Sequence, residues 1–458
     1  MSLKAEDSPA KSDLPLHGLA EHPDLPPIEE SGDFCAPAAP AKLDKIDVGV
    51  DTLRDLAVKL ASTTPQLTTE WAADQMCLPM HIVEDLFWRL KKDQLVEVLG
   101  QVGPFNYRYA SSQRGRDHAA RLIEISGYIG PAPVSLAAYR AMIEWQQTRR
   151  PAVSLETVRR VLAPLVLPDG SVTVAALAAA SGRSLFLFGP SGNGKTSVGT
   201  MLHNALEGDL WIPHCIAAGS SFIRMFDAQV HRPSESGPAA PAAKWDRRWL
   251  RIKRPLIISG GEMTLEEMDL IYSPSLRYYE SPPHVKANGG LFLIDDFGRQ
   301  KVEPHALLNR WIVPLERRVD FLTLHTGQKI QMPFEVMLVV STNLKVSDVA
   351  DPAFLRRMGY RLHLQRPDAA AYAEIFLRYA NGVGMRVPSG LMEKILSRYR
   401  IEGRDLRASE PRDLIERARD ICSLHQRAFE LTEDVVELAW EGYFGNPREP
   451  EGTPTGVG

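Results

Sequence analysis

Cysteine is scarce in this sequence: Cys35, Cys77, Cys215 and Cys422 are the only four in 458 residues, and none falls in a CxxC or Cys/His cluster. That spacing argues against a structural zinc site and leads us to expect reduced thiols in a cytoplasmic setting. Long apolar runs are also missing. The longest reach about seven residues, where a membrane-crossing helix needs roughly 20, so no membrane span is expected. The opening Met1–Asp13 is polar and acidic and lacks the apolar core of a secretion signal. Strong charge of either sign is absent too. With 53 Lys+Arg against 57 Asp+Glu, the net charge of −4 sets up no global field toward nucleic acid or anionic lipid. Binding of that kind requires a local patch. What is present, 44% hydrophobic and 24% charged residues, is the balance of a globular chain long enough for two or three domains.

Residues 1–45 carry seven prolines and no periodic apolar pattern, and read as a disordered arm; 446–458 read as a disordered tail. Over 46–125 the pattern predicts three helices, a hairpin around Gly100 and Gly103, and a further helix from about Gln113. That order is similar to a winged helix-turn-helix domain. Residues 126–180 read as a connector with short helices at Leu136–Gln147 and Leu155–Leu162. Over 181–365 strands and helices alternate, which predicts an α/β fold with a parallel sheet and helices on both faces. Residues 366–445 give four amphipathic helices and no strand, a helical lid.

The decisive motif is Gly189-Pro190-Ser191-Gly192-Asn193-Gly194-Lys195-Thr196, followed by Ser197. It matches GxxxxGK[ST], follows the apolar run Leu185–Phe188, and opens a helix with apolar residues at Val198, Met201, Leu202 and Ala205. Glycines let backbone N–H groups wrap phosphate oxygens, and the helix N-terminus adds positive potential. Lys195 is expected to reach the β and γ phosphates of ATP, and the Thr196 hydroxyl to bind Mg²⁺. A second apolar run, Leu291–Ile294, ends in Asp295-Asp296. Asp295 suits ordering of the Mg²⁺ shell and Asp296 suits polarising the attacking water. A third run, Val336–Val340, ends in Ser341-Thr342-Asn343, which places Asn343 beside the other two strand ends.

This set, continued by Asp351-Pro-Ala-Phe-Leu-Arg356-Arg357 and by Glu410-Pro-Arg412-Asp413 in the lid, resembles the AAA+ ATPases over about residues 160–445. The resemblance implies that Asn343 is sensor 1, that Arg356 or Arg357 is the finger reaching a neighbouring subunit's γ-phosphate, and that Arg412 is sensor 2. It also implies a homo-oligomeric ring, usually a hexamer. One departure is Asp296, where the family usually has Glu; the carboxylate sits one methylene short, and turnover is expected to be slow because positioning dominates phosphoryl transfer.

Lys195 and Asp295 lie 100 positions apart, and the surplus is assigned to an insertion over 219–290. An insertion there, followed by the Ala287-Asn-Gly-Gly290 entry to the strand, is similar to clades with an extra hairpin before Walker B, the MoxR-like and magnesium-chelatase-like proteins among them. Within it, His231–Ala243 reads as flexible. Lys244–Arg254 interleaves six basic residues with Trp245 and Trp249, a pattern that suits nucleic acid, an amphipathic strand or a subunit contact. Tyr272, Tyr278 and Tyr279 are candidate substrate contacts or internal aromatic packing. Between Gln66 and Arg121, seven Lys/Arg balance seven Asp/Glu. That neutrality favours protein docking or subunit packing over DNA for the N-terminal domain, since DNA affinity depends on neutralising phosphates. The sequence therefore predicts a client-remodelling ATPase. A DNA- or RNA-acting ATPase is the alternative, and a nucleotide-dependent scaffold a third.

Overall fold

The computed structural model describes residues 22–31, 34–235, 244–350 and 352–445. At its centre is a parallel five-stranded sheet built from β1 (Leu185–Phe188), β2 (Leu256–Ser259), β3 (Leu291–Ile294), β4 (Met337–Thr342) and β5 (Tyr360–His363), in the order β2-β3-β4-β1-β5. Every residue of β3 and β4 is buried, as expected of strands covered on both faces. Side chains alternate between the faces. Leu185, Leu187, Leu291 and Leu293 pack under helices Leu155–Leu162, Asp169–Ser181 and Lys195–Leu202. Phe186, Phe292 and Ile294 pack under Pro304–Arg317 through Leu307, Leu308 and Trp311.

Three sequence expectations change here. The connector is not a free-standing link: 155–181 covers one face of the core sheet, and Val134–Ser135 pairs with Cys215–Ala218. Helix Asp169–Ser181 escapes sequence detection because its exposed side also carries apolar residues, Leu177 and Ala180, and so leaves no amphipathic stripe. The 219–290 segment is not one insertion either, since it contains core strand β2, which pairs with β3 from Leu256↔Leu291 to Ser259↔Ile294. What is added to the core flanks β2 in the chain. It makes a sheet in the order Ile271–Ser273, Tyr278–Glu280, Ser221–Arg224, Cys215–Ala218, Val134–Ser135, and an antiparallel pair, Asp209–Pro213 with Trp249–Lys253. A separate hairpin, Val319–Thr323 with Lys329–Pro333, precedes β4 and was not foreseen.

The third change concerns the arm. Ile28–Ser31 and Phe34–Pro37 form an antiparallel pair of strands, with Leu43 buried beyond it. Phe34 lies 4.9 Å from Trp245 and 6.2 Å from Trp211 between ring centroids, and the Trp211 indole donates to the Cys35 carbonyl at 2.9 Å. The arm's few apolar residues dock into tryptophans more than 170 positions away, which no local pattern announces. The expectations for 1–21 and 446–458 lie outside the described residues.

The N-terminal unit has helices Val50–Ser62, Thr69–Met76, Met80–Lys92 and Gln113–Ile125, with strand Leu67–Thr68 added to the hairpin Val96–Gly103/Asn106–Ser111. Its core runs on into the added sheet. Tyr128 stacks on Phe222 at 5.2 Å, and buried Lys59 donates to the Ser126 carbonyl at 2.9 Å beneath that ring. Four helices, Ala369–Gly382, Leu391–Ile401, Glu410–Leu424 and Glu433–Phe444, close the chain around their own core, as the apolar periodicity predicts.

Candidate functional site

The loop 189–194 leaves the C-terminal end of β1, next to β4 and β5. In open α/β sheets, strand ends where the chain order reverses are where ligands bind. Gly189 (φ 134°) passes so close to β5 that a Cβ there would lie 2.3 Å from the Leu364 carbonyl oxygen, and one on Gly192 (φ 79°) would lie 2.7 Å from the Ser409 hydroxyl. Any larger residue would therefore move the loop off the sheet or the lid off the loop. Lys195 is buried at the first position of its helix and turns its ammonium back into the loop, donating to the Gly189 and Pro190 carbonyls at 3.0 and 2.9 Å. Burial lowers its pKa, and Asp296 and Asp295 act the other way. Buried Asn193 donates to the Pro190 carbonyl at 3.4 Å, while Ser191, Thr196 and Ser197 are exposed.

The two carboxylates after β3 are held by neutral donors. Asp295 accepts from the Thr196 hydroxyl at 2.8 Å on one oxygen and from the Ser341 hydroxyl on the other. Asp296 accepts from the Asn343 amide at 2.6 Å. Its backbone sits at φ 48°, a left-handed conformation that costs a non-glycine residue energy and concentrates at functional sites. The buried Gln300 braces the turn, donating to the Asp295 and Gly260 carbonyls at 3.2 Å each and accepting from the Gly298 N–H at 2.8 Å. The residues expected at the strand ends, Lys195, Thr196, Asp295, Asp296 and Asn343, thus meet in one place. Ser341 and Gln300 were missed. A hydroxyl two residues before Asn343 on the same strand was the available signal for Ser341; nothing in the sequence marked Gln300.

The Thr196 hydroxyl and Asp295 carboxylate are hard oxygen donors suited to Mg²⁺. Among the described residues there is no group of three or more His, Cys, Asp or Glu that could hold a metal by itself. The pair suits an ion that completes its shell with ligand phosphates and water, as Mg²⁺ usually does.

The arginines lie apart from this cluster. Arg356 and Arg357 end a helix at the opposite, strand-start edge of the sheet, near Gly359, whose N–H donates to the Ser184 hydroxyl at 3.1 Å. They line a cleft of about 440 Å³ with Arg183 and Arg318. Arg357 is ion-paired to Glu316 at 2.6 Å, and Arg356 is exposed. A four-residue strand spans roughly 13 Å, so neither contacts the phosphate loop of its own subunit. Arg412 is exposed and turns to its neighbour Asp413 at 3.2 Å. The lid meets the loop elsewhere: the Ser409 N–H donates to the Gly192 carbonyl at 2.8 Å, the Ala408 N–H to the Asn193 side chain at 3.3 Å, and Arg407 lies against Gly192.

The basic segment 244–254 is largely committed to internal partners. Arg248, 4% exposed, pairs with Asp246 and Asp47 at 2.7 Å each, and these carboxylates hold its pKa up against burial. Arg251 and Lys253 both reach Asp209 at 2.9 Å, Arg247 pairs with Asp74, and Trp249 is buried. Of the three tyrosines, Tyr279 is buried against Tyr272 with its hydroxyl on His325, and Tyr278 packs edge-on to Tyr128 at 5.7 Å. The amphipathic-strand and aromatic-packing readings fit these positions.

Strand order β2-β3-β4-β1-β5, a glycine-rich loop between β1 and its helix, acidic and amide residues on the next two strand ends and a helical lid make up an α/β parallel-sheet fold with a P-loop motif. Residues 368–442, the lid, match a family described as a domain of unknown function (DUF8689). No curated protein matches the chain. Among solved structures, the chain is similar to the RuvB Holliday junction branch migration motor of Thermotoga maritima, at 15% identity and TM-score 0.35, over 64% of this chain and 72% of that one. It is also similar to NtrX of Brucella abortus in complex with ATP, at 14% identity and TM-score 0.36, over 65% and 60%. At these scores the likeness has no weight for the site, whose reading rests on its own geometry.

Proposed function

We propose that the chain is a Mg²⁺-dependent ATPase that assembles into a homo-oligomeric ring and remodels a protein client recruited by its N-terminal unit. The observation that carries the proposal is the junction of three strand ends. Thr196 and Asp295 are bonded at 2.8 Å, and Asp296 is held by Asn343 at 2.6 Å, beside a phosphate loop with a buried lysine. With ATP bound, Lys195 exchanges its two loop carbonyls for phosphate oxygens. Asp296, fixed in direction by Asn343, orients the attacking water. Magnesium at Thr196 and Asp295 would supply charge neutralisation on the phosphates. Arg356 is our choice as the arginine serving a neighbouring subunit, because Arg357 is already paired to Glu316. The Ser409–Gly192 contact offers a path by which the loop's state reaches the lid.

The protein-client reading draws on the surface of the N-terminal unit, which we read as a winged helix. Its wing, Val96–Asn106, has no Lys or Arg and exposes Leu99, Val102 and Phe105, the last at 67%. On the helix Met80–Lys92, Trp88 is exposed against Tyr107, with Lys91 over its ring. An apolar wing beside an aromatic helix face suits a protein partner better than a phosphate backbone.

The test is ATP turnover by the full chain and by Lys195→Ala. We expect the variant to lose activity by at least about 10²-fold, the scale of removing one electrostatic contact in a preorganised site; equal turnover in the two proteins overturns the assignment. A pull-down with Asp296→Asn held in ATP separates the partners. A protein retained after nuclease and lost without residues 1–125 supports the client reading, whereas nuclease-sensitive capture supports a nucleic-acid role.

A further inference from the structure

The strand-start edge of the core sheet, far from the phosphate loop, bears a cavity of about 230 Å³. Its walls come from the Gln147–Val153 turn, the end of helix Asp169–Ser181, and the first residues leading into β3 and β4. Three guanidiniums line it: Arg150, Arg254 and Arg318. Each is held by backbone carbonyls. Arg254, 8% exposed, donates to Glu207 at 2.7 Å and Gly289 at 2.5 Å; Arg318 donates to Gly182 at 3.1 Å, and Arg150 to Ala180.

Those carbonyls orient the forks without cancelling their charge. Two carboxylates border the cavity. Glu207 is exposed and faces Arg160 at 3.5 Å, and Glu335 has its pKa raised by burial. Burial and then the charge of Arg150 pull Arg254 down to about 10 against a smaller opposing effect of Asp209, and Arg150 is itself lowered by burial and then by Arg318 against a smaller opposing effect of Glu335. Each cation therefore disfavours the next, at a place where desolvation already costs free energy. An arginine has five N–H donors, so each of these three has donors left over. Oriented arginine forks with spare N–H groups match phosphate oxygens in geometry and charge. The volume is below the roughly 300 Å³ at which pockets begin to hold drug-sized molecules, which limits the ligand to a small anion.

We propose that this cavity is a second anion site, which binds orthophosphate or a diphosphate group between Arg150, Arg254 and Arg318. The site stands independently of the ATPase reading. The bound anion would bridge the starts of β3 and β4, the strands whose far ends carry Asp295 and Asn343, to the turn that leads out of the N-terminal half.

The experiment is calorimetric titration of orthophosphate and of pyrophosphate, without magnesium at low salt, into the full chain carrying Lys195→Ala. The same titrations are made with Arg150→Gln or Arg318→Gln added. Both arginines are only partly buried, and an added Arg150→Lys variant keeps the charge if Arg150→Gln melts early. We expect one saturable site in the Lys195→Ala chain. We expect binding about tenfold weaker in each Gln variant, the loss of one charged hydrogen bond, and largely retained in Arg150→Lys. Tighter pyrophosphate points to a diphosphate-bearing ligand and tighter orthophosphate to free phosphate; either supports the site. Absence of a saturable heat, or equal affinity in all the variants, which would return the binding to the phosphate loop, overturns it.

Discussion

The two ends of the same parallel sheet handle charge in opposite ways. At the strand ends, Asp295 and Asp296 are held by Thr196, Ser341 and Asn343, all neutral, and the loop's lysine, Lys195, rests on carbonyls it can release. At the strand starts, arginines cap carbonyls of the turns and face one another across a recess. Neutral partners keep the acidic end open to exchange with Mg²⁺ and phosphate, where tight ion pairs would have competed. Carbonyl partners keep the basic end charged. The placement also divides the labour proposed for the arginines, because Arg356 stands at the basic end, away from the phosphate loop of its own chain.

The largest effect that would break this division is at Arg356. We expect Arg356→Ala to lower turnover of the assembled protein by on the order of 10³-fold, the low end for such an arginine, while ATP binding stays unchanged. Mixing it with Lys195→Ala subunits should restore part of the activity, because such a mixture contains interfaces with an intact loop on one side and an intact arginine on the other. Loss of ATP affinity in the single variant, measured by equilibrium binding, would place Arg356 in its own subunit's site. Next in size is Asp296→Asn. It preserves shape and the left-handed backbone, to which asparagine is well suited, and removes only the charge. Turnover should fall about 10²-fold or more with ATP affinity nearly intact; an equal fall in both would make Asp296 a binding residue.

The acidic end was legible in the sequence, and at the basic end only Arg356 and Arg357 were, for a physical reason. A phosphate loop requires glycines at fixed spacing, a lysine and a hydroxyl, and each apolar strand announces the carboxylate or amide that ends it. The lid was equally legible, since its four helices bury one face each. In contrast, β2 is four residues whose place is set by pairing with Leu291–Ile294, 35 positions on, and helix 169–181 has no stripe to read. The arm's strand pair depends on Trp211 and Trp245. Arg150, Arg254 and Arg318 come from three separate turns and share no motif. Their grouping exists only after the sheet has gathered the strand starts.

The smallest effect concerns Glu335, the more buried of the two carboxylates beside these arginines. Burial raises its pKa above the ordinary 4.5, Arg318 and Arg150 act against that rise, and Glu144 adds to it. A raised native pKa means that the folded chain keeps a proton that the unfolded chain has released. The stability this contributes is complete at and below about pH 4.5 and is lost as pH climbs through the native value. Urea midpoints across that window should therefore fall with rising pH, and fall less in Glu335→Gln, which has nothing to titrate. Pyrophosphate sharpens the comparison. An anion seated beside Glu335 opposes its ionisation, so the ligand should steepen the fall in the parent and leave Glu335→Gln unaffected. If the slope is the same with and without ligand in both proteins, no anion sits near this carboxylate, and the basic end serves only to tie its turns together.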